Sequence, residues 1–123
     1  MPSQPSWARP RQVALLIAGY LLIHLAVRLW MGPTLGVDDA EQTLFAQHWL
    51  WNYRFRAPPL FTWALVAASS VTDIGMVAIS LIRYALLAMI FGFTYLTARR
   101  LISDARLAAL ATFSFAAIYV FGY

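Results

Sequence analysis

"MVAISLIRYALLAMIFGFTYLTARR", residues 76–100, is the stretch whose reading decides the fold. From Met76 to Ala98 it carries one charged side chain, Arg83, and at about 1.5 Å of rise per residue it makes a helix about as long as a bilayer core is thick. It stops at Arg99-Arg100, with Arg106 close behind. The rest of the chain agrees with a membrane reading. Of its 123 residues 62% are hydrophobic and 11% charged, and the mean hydropathy of +0.68 lies outside the usual soluble range.

Working outward, a second apolar run, Val13 to Met31, follows Arg9 and Arg11 and is about 28 Å long as a helix, enough to cross the bilayer core. A signal peptide would have a shorter apolar region and a small-x-small cleavage site, and this run has neither before Gly32-Pro33. We read an uncleaved anchor. A third run, Leu107 to Tyr123, is still apolar where the sequence stops, and we expect it to lead into further helices. The expected fold class is all-α: polytopic membrane helices with spans at about 13–31, 76–98 and 107–123, joined by a long external loop, 32–75, that contains interfacial helices.

The net charge of +4 comes from nine arginines and no lysine. In a membrane chain such charge orients loops toward the cytoplasm, and no basic-aromatic surface segment points to nucleic acid. With no cysteine there is no disulfide framework, thiolate metal site or thiol redox chemistry. Pro58 to Val71, the apolar piece between the two long runs, would make only about 21 Å of helix, below spanning length. If it crossed, Arg99, Arg100 and Arg106 would land outside; if it lies in the outer leaflet, both arginine clusters fall inside. We prefer the second arrangement, which puts the N-terminus inside and residues 32–75 outside.

Three of the five carboxylates fall in "GVDDAEQTLFAQ", residues 36–47. Asp38 suits a helix N-cap with Asp39 and Glu41 in the first turn, where negative charge meets the helix dipole. Leu44, Phe45, Trp49 and Leu50 then recur at helical spacing, and Trp49, Trp51 and Tyr53 suit a helix lying at the lipid–water boundary. The acids could equally hold a cation or supply a base, and spacing alone leaves both readings open. His24 and Arg28 share one helix face; we expect Arg28 to reach the outer interface and His24 to face a neighbouring helix. Arg83, inside a span, needs a partner or a watery cavity unless it snorkels outward. Arg54 and Arg56 suit phosphate through their donor forks, whether of a substrate or of lipid headgroups. His48 is either a ligand or simply packed. Pro58-Pro59 ends the preceding structure and starts the next helix at a set angle. Nucleotide-phosphate loops, dinucleotide fingerprints, HExxH and nucleophile elbows are absent from the sequence.

An acidic pair after the first span ("DDAEQ"), an aromatic segment ("LFAQHWLWNY"), "PPLFTW" about twenty residues on, then "LIRYA" inside the next span and "TARRL" resemble the N-terminal part of the GT-C glycosyltransferases. Within these the chain is similar to the family 39-like group of dolichyl-phosphate-mannose protein mannosyltransferases, the lipid A aminoarabinose transferase and RgtA/B/C/D-like enzymes. The resemblance covers almost all of this chain and about a quarter of a typical member. It implies a sugar taken from a polyprenyl phosphate and passed, with inversion, to a lipid, glycan or protein acceptor at the outer membrane face. It places the catalytic base at Asp38, with Asp39 beside it as second acid or metal ligand, and leaves Arg54 and Arg56 for the donor phosphate. Many members carry an acid and then His or Lys before the proline pair, where this chain has Arg56-Ala57; a divalent metal is compatible with the acids but fixed by no motif. Alternative readings are a small multi-pass membrane subunit or interaction protein without catalysis of its own, or a transporter segment. On the enzyme reading, these 123 residues alone are expected to transfer no sugar, because one loop and its spans supply only part of a water-excluding site.

Overall fold

A computed structural model describes residues 6–32, 34–53, 59–73 and 75–121. Among them every regular element is helical. A single 3-10 turn, Ser6–Ala8, precedes α1 (Pro10–Trp30), α2 (Val37–Phe45), α3 (Pro59–Ala68), α4 (Met76–Leu101) and α5 (Ala105–Phe121). The fold is the expected all-α membrane type: α1 and α4 are both long and apolar enough to cross a bilayer.

Local chemistry sets the helix boundaries. Proline opens α1 and α3, where its missing N–H has no helical partner to lose. Gly36 and Gly75 supply the first accepted carbonyls of α2 and α4, to Ala40 and Ile79. Asp104 caps α5, its Oδ1 accepting the Arg106 N–H at 2.8 Å. At the end of α4 the Arg99 guanidinium donates to the Ser103 carbonyl at 3.4 Å, meeting the negative end of the helix. Past α1 the chain turns through Gly32, whose φ of +104° is one that side-chain-bearing residues rarely adopt.

The residues form two compact units. One takes the chain up to Ile23 and from Leu86 on. Val13, Ile17 and Leu21 make one buried stripe of α1, and Phe91 meets Tyr20 edge-on with ring centroids 6.1 Å apart. Ala105, Ala108, Ala109 and Thr112 bury a row of small side chains on α5, which packs against the 3-10 turn. Small residues of this kind let helix backbones approach closely where hydrocarbon surrounds them. Tyr95 donates its hydroxyl to the Ala8 carbonyl at 3.4 Å.

The other unit is His24–Ala85. Its core is Ala46, Leu65, Ala78 and Ile79, with Leu35, Phe61, Val66, Ala68 and Ile82 packed around them. On α3, Thr62 and Leu65 are both fully buried, and Thr62 Oγ1 donates to Gln42 Oε1 of α2 at 2.8 Å. This bond satisfies the buried Thr62 hydroxyl and fixes α3 against α2.

Two local expectations are corrected. Gly36, extended at φ −63° and ψ 164°, is the N-cap of α2, so Asp38 sits inside the first turn with Asp39 and makes no capping bond. The carboxylates of that first turn meet the positive end of the helix dipole without capping it. The aromatic helix expected to run to Tyr53 ends at Phe45. Beyond it the bonds span three residues in place of four, Gln47 N–H to Leu44 O and His48 N–H to Phe45 O. Side chains then take over the backbone groups: the Tyr53 hydroxyl donates to His48 O at 2.9 Å and accepts from Leu50 N–H at 3.1 Å. Trp63 Nε1–H donates to Leu50 O at 2.9 Å. With its carbonyls and amides satisfied sideways, the segment has no need of another helical turn.

Candidate functional site

The two carboxylates opening α2 have different surroundings. Asp38 is exposed, and among the described residues its side chain has no hydrogen bond or ion pair. Asp39 is buried, with 12% of its side chain accessible, and both of its oxygens are engaged. Arg83 Nη2 of α4 lies 2.7 Å from Oδ1, and Arg28 Nη2 from the last turn of α1 lies 3.8 Å from Oδ2. Arg28 also donates to the Thr34 carbonyl at 3.1 Å, which ties the end of α1 to the chain leading into α2.

Each residue reaches this trio for a reason visible in its element. Arg83 lies about two turns into a helix of membrane length, where an unpaired guanidinium would be costly. Asp39 sits three residues past the N-cap, where a carboxylate is favoured by the helix N-terminus even before it meets a cation. The 2.7 Å separation is that of a strong charge-assisted hydrogen bond, and the longer Arg28 distance marks a weaker, flanking contact. Two guanidiniums against one carboxylate leave the trio with net positive charge.

Of the readings open for Arg83, the partner is the one found: it is paired with Asp39, and Arg28, at the end of α1, flanks the same carboxylate. The need for a partner at Arg83 was visible in the sequence; the identity of that partner, 44 residues earlier, was not. Nor did the sequence distinguish the paired acid from the free one. Glu41 is half-buried and Asp38 open, so the three acids do not converge on one point as equals. Among the described residues no three or more His, Cys, Asp or Glu side chains come together to hold a metal ion. Asp39 in particular faces guanidinium on both oxygens, an arrangement that does not suit a cation ligand. Arg54, Arg56 and Pro58 lie outside the described residues. His48 is exposed in the turn after α2.

A second cluster surrounds Trp63. Trp49 stacks on it at 5.7 Å with the ring planes 5° apart, and Trp51 meets it edge-on at 5.8 Å and 90°. Phe45 and Tyr53 pack beside each other at 5.8 Å. Trp49 and Trp51 were visible in the sequence as boundary residues. Trp63 falls within "PPLFTW", and nothing local shows that it stacks on a ring fourteen residues earlier.

The chain is similar to bacterial glycosyltransferases of the lipopolysaccharide core. It is 33% identical over 100 residues to the lipopolysaccharide core galacturonosyltransferase RgtA of Rhizobium johnstonii, a match covering 81% of this chain and 20% of that protein. To RgtB, a lipopolysaccharide core galacturonosyltransferase of the same organism, it is 31% identical over 97 residues, 79% of this chain and 19% of the relative. The chain thus spans about a fifth of the length of the curated relatives it matches. No family model matches the chain. No solved structure matches it either.

Proposed function

We propose that this chain is the N-terminal portion of a GT-C glycosyltransferase of the family 39-like, RgtA/B/C/D-like group, embedded by several spans in a bacterial inner membrane. It carries one wall of a site at the outer face, where a sugar passes from a polyprenyl-phosphate donor to a glycan acceptor. The names of the relatives suggest a galacturonosyl residue as the sugar and the lipopolysaccharide core as the acceptor. The observation that carries the reading is the division of labour at the start of α2: Asp39 is held by Arg83 at 2.7 Å, and its neighbour Asp38 is left open.

In this mechanism the Asp38 carboxylate accepts the proton of the acceptor hydroxyl while that oxygen bonds to the anomeric carbon. The bond from that carbon to the phosphate oxygen breaks in the same displacement, and the configuration inverts. The polyprenyl phosphate leaves as an anion, and Arg54 and Arg56 are assigned to bind it on their chemistry, since guanidinium matches phosphate with two parallel donors. Asp39 does not touch the reacting atoms. It is the anchor through which Arg83 and Arg28 fix the first turn of α2, and the net positive charge of that trio favours an anionic donor nearby.

Asp38→Asn preserves size while removing the base. In membranes containing the full-length protein, supplied with polyprenyl-phosphate galacturonate and lipopolysaccharide core, the variant should insert normally and transfer sugar about 10² to 10⁴ times more slowly. Transfer at the wild-type rate would remove Asp38 from the mechanism.

A further inference from the structure

We infer that the indole corner built by Trp49, Trp51 and Trp63 is an acceptor subsite, on which a pyranose of the acceptor glycan stacks its C–H face. Trp51 is 83% exposed and Trp49 57%, so two large rings that would ordinarily be covered are offered outward. They are also held rigidly. Trp63 is fixed by its own N–H bond to Leu50 O, and Trp49 lies flat against it. The Tyr53 hydroxyl pins the turn between them at His48 and Leu50.

That construction differs from a lipid anchor. A tryptophan at a membrane interface keeps its ring in the apolar layer and its N–H free for the wet side, and it needs no fixed orientation. Here the central N–H is used internally, with Trp49 parallel to Trp63 and Trp51 perpendicular to it. His48 and Asn52, both exposed, adjoin Trp49 and Trp51 in sequence. An exposed apolar ring face matches a sugar, which has C–H groups on one face and hydroxyls at its rim, and polar residues neighbouring the rings in sequence suit those hydroxyls. Pre-set rings also reduce the ordering cost of binding.

The corner belongs to the same compact unit as Asp38. The Thr62–Gln42 bond joins α3, which carries Trp63, to α2, which carries the carboxylate. Naming the sugar as part of the acceptor rests on the glycosyltransferase reading above; that a saccharide binds there does not.

Binding is therefore measured apart from transfer. The full-length protein in lipid nanodiscs is titrated with lipid-free lipopolysaccharide core oligosaccharide, and tryptophan fluorescence is followed. The wild type should show saturable quenching. Trp51→Ala should bind about tenfold more weakly, the upper range for one aromatic contact, and Trp51→Phe should keep most of the affinity. Circular dichroism and recovery in the membrane fraction show whether each variant is folded and inserted. Absence of binding by the wild type, or equal affinity in folded Trp51→Ala, overturns the subsite. Binding without transfer leaves the subsite standing and removes the glycosyltransferase reading.

Discussion

At the scale of single residues, position 83 shows how much a sequence can tell about a charge in a membrane helix. The arginine announces a partner, because burial without one is too costly, but three acids lie between residues 36 and 47 and nothing in their order selects Asp39. Selection comes from the helical turn: α2 begins at Val37, so Asp38 and Asp39 point about 100° apart around its axis and only the second meets Arg83. A testable consequence concerns stability. Arg83→Met leaves the Asp39 carboxylate with only the longer contact to Arg28. The expected loss is about 1 to 3 kcal/mol, below the range for a fully buried pair because 29% of the Arg83 side chain is accessible. Adding Asp39→Leu to Arg83→Met should recover much of that loss by removing the stranded charge, so that the two losses are far from additive. Thermal unfolding in detergent micelles, followed by circular dichroism, is measured for the wild type, Arg83→Met, Asp39→Leu and the double variant. Additive losses would mean that the 2.7 Å pair has no energetic coupling.

Among the elements, the long helices were the most readable because the solvent dictates them: a bilayer demands a certain length of apolar helix, and 13–31 and 76–98 announce that length directly. The short elements were harder. Leu44, Phe45, Trp49 and Leu50 repeat at helical spacing, yet α2 stops at Phe45, because Tyr53 and Trp63 satisfy the backbone groups that another turn would have used. Periodicity reports where apolar side chains recur and is silent on a hydroxyl five residues ahead or an indole thirteen ahead. Gly32 is an element boundary of another kind. It follows α1 with φ +104°, and a side chain there would meet no neighbouring atom within 4 Å, so its constraint is conformational and not steric crowding. Gly32→Ala should destabilise by about 1 to 2 kcal/mol, the cost of a left-handed conformation for a residue with a Cβ, and Gly32→Asn by less, since asparagine tolerates that region. Unfolding temperatures of the two variants check the order. Equal, negligible effects would mean that the chain leaves α1 by another route.

For the whole molecule, sidedness follows from counting crossings. α3 has ten residues, about 15 Å of helix and half a bilayer core, whereas α1 and α4 each suffice to cross. If α3 does not cross, one crossing by α1 and one by α4 return the chain to its starting side. Arg9 and Arg11 then share a side with Arg99, Arg100 and Arg106, as the positive-inside rule requires. If α3 did cross, the second cluster would lie outside and the segment carrying Asp73 inside. Cysteine labelling separates the two directly, because the chain has no cysteine of its own. Asp73 and Ser103 are both exposed on the protein, so protection of a cysteine at either position reports the membrane side and not packing. In spheroplasts, Asp73→Cys should react with an impermeant maleimide, and Ser103→Cys should react only after permeabilisation. Reversal of that pattern would make α3 a span.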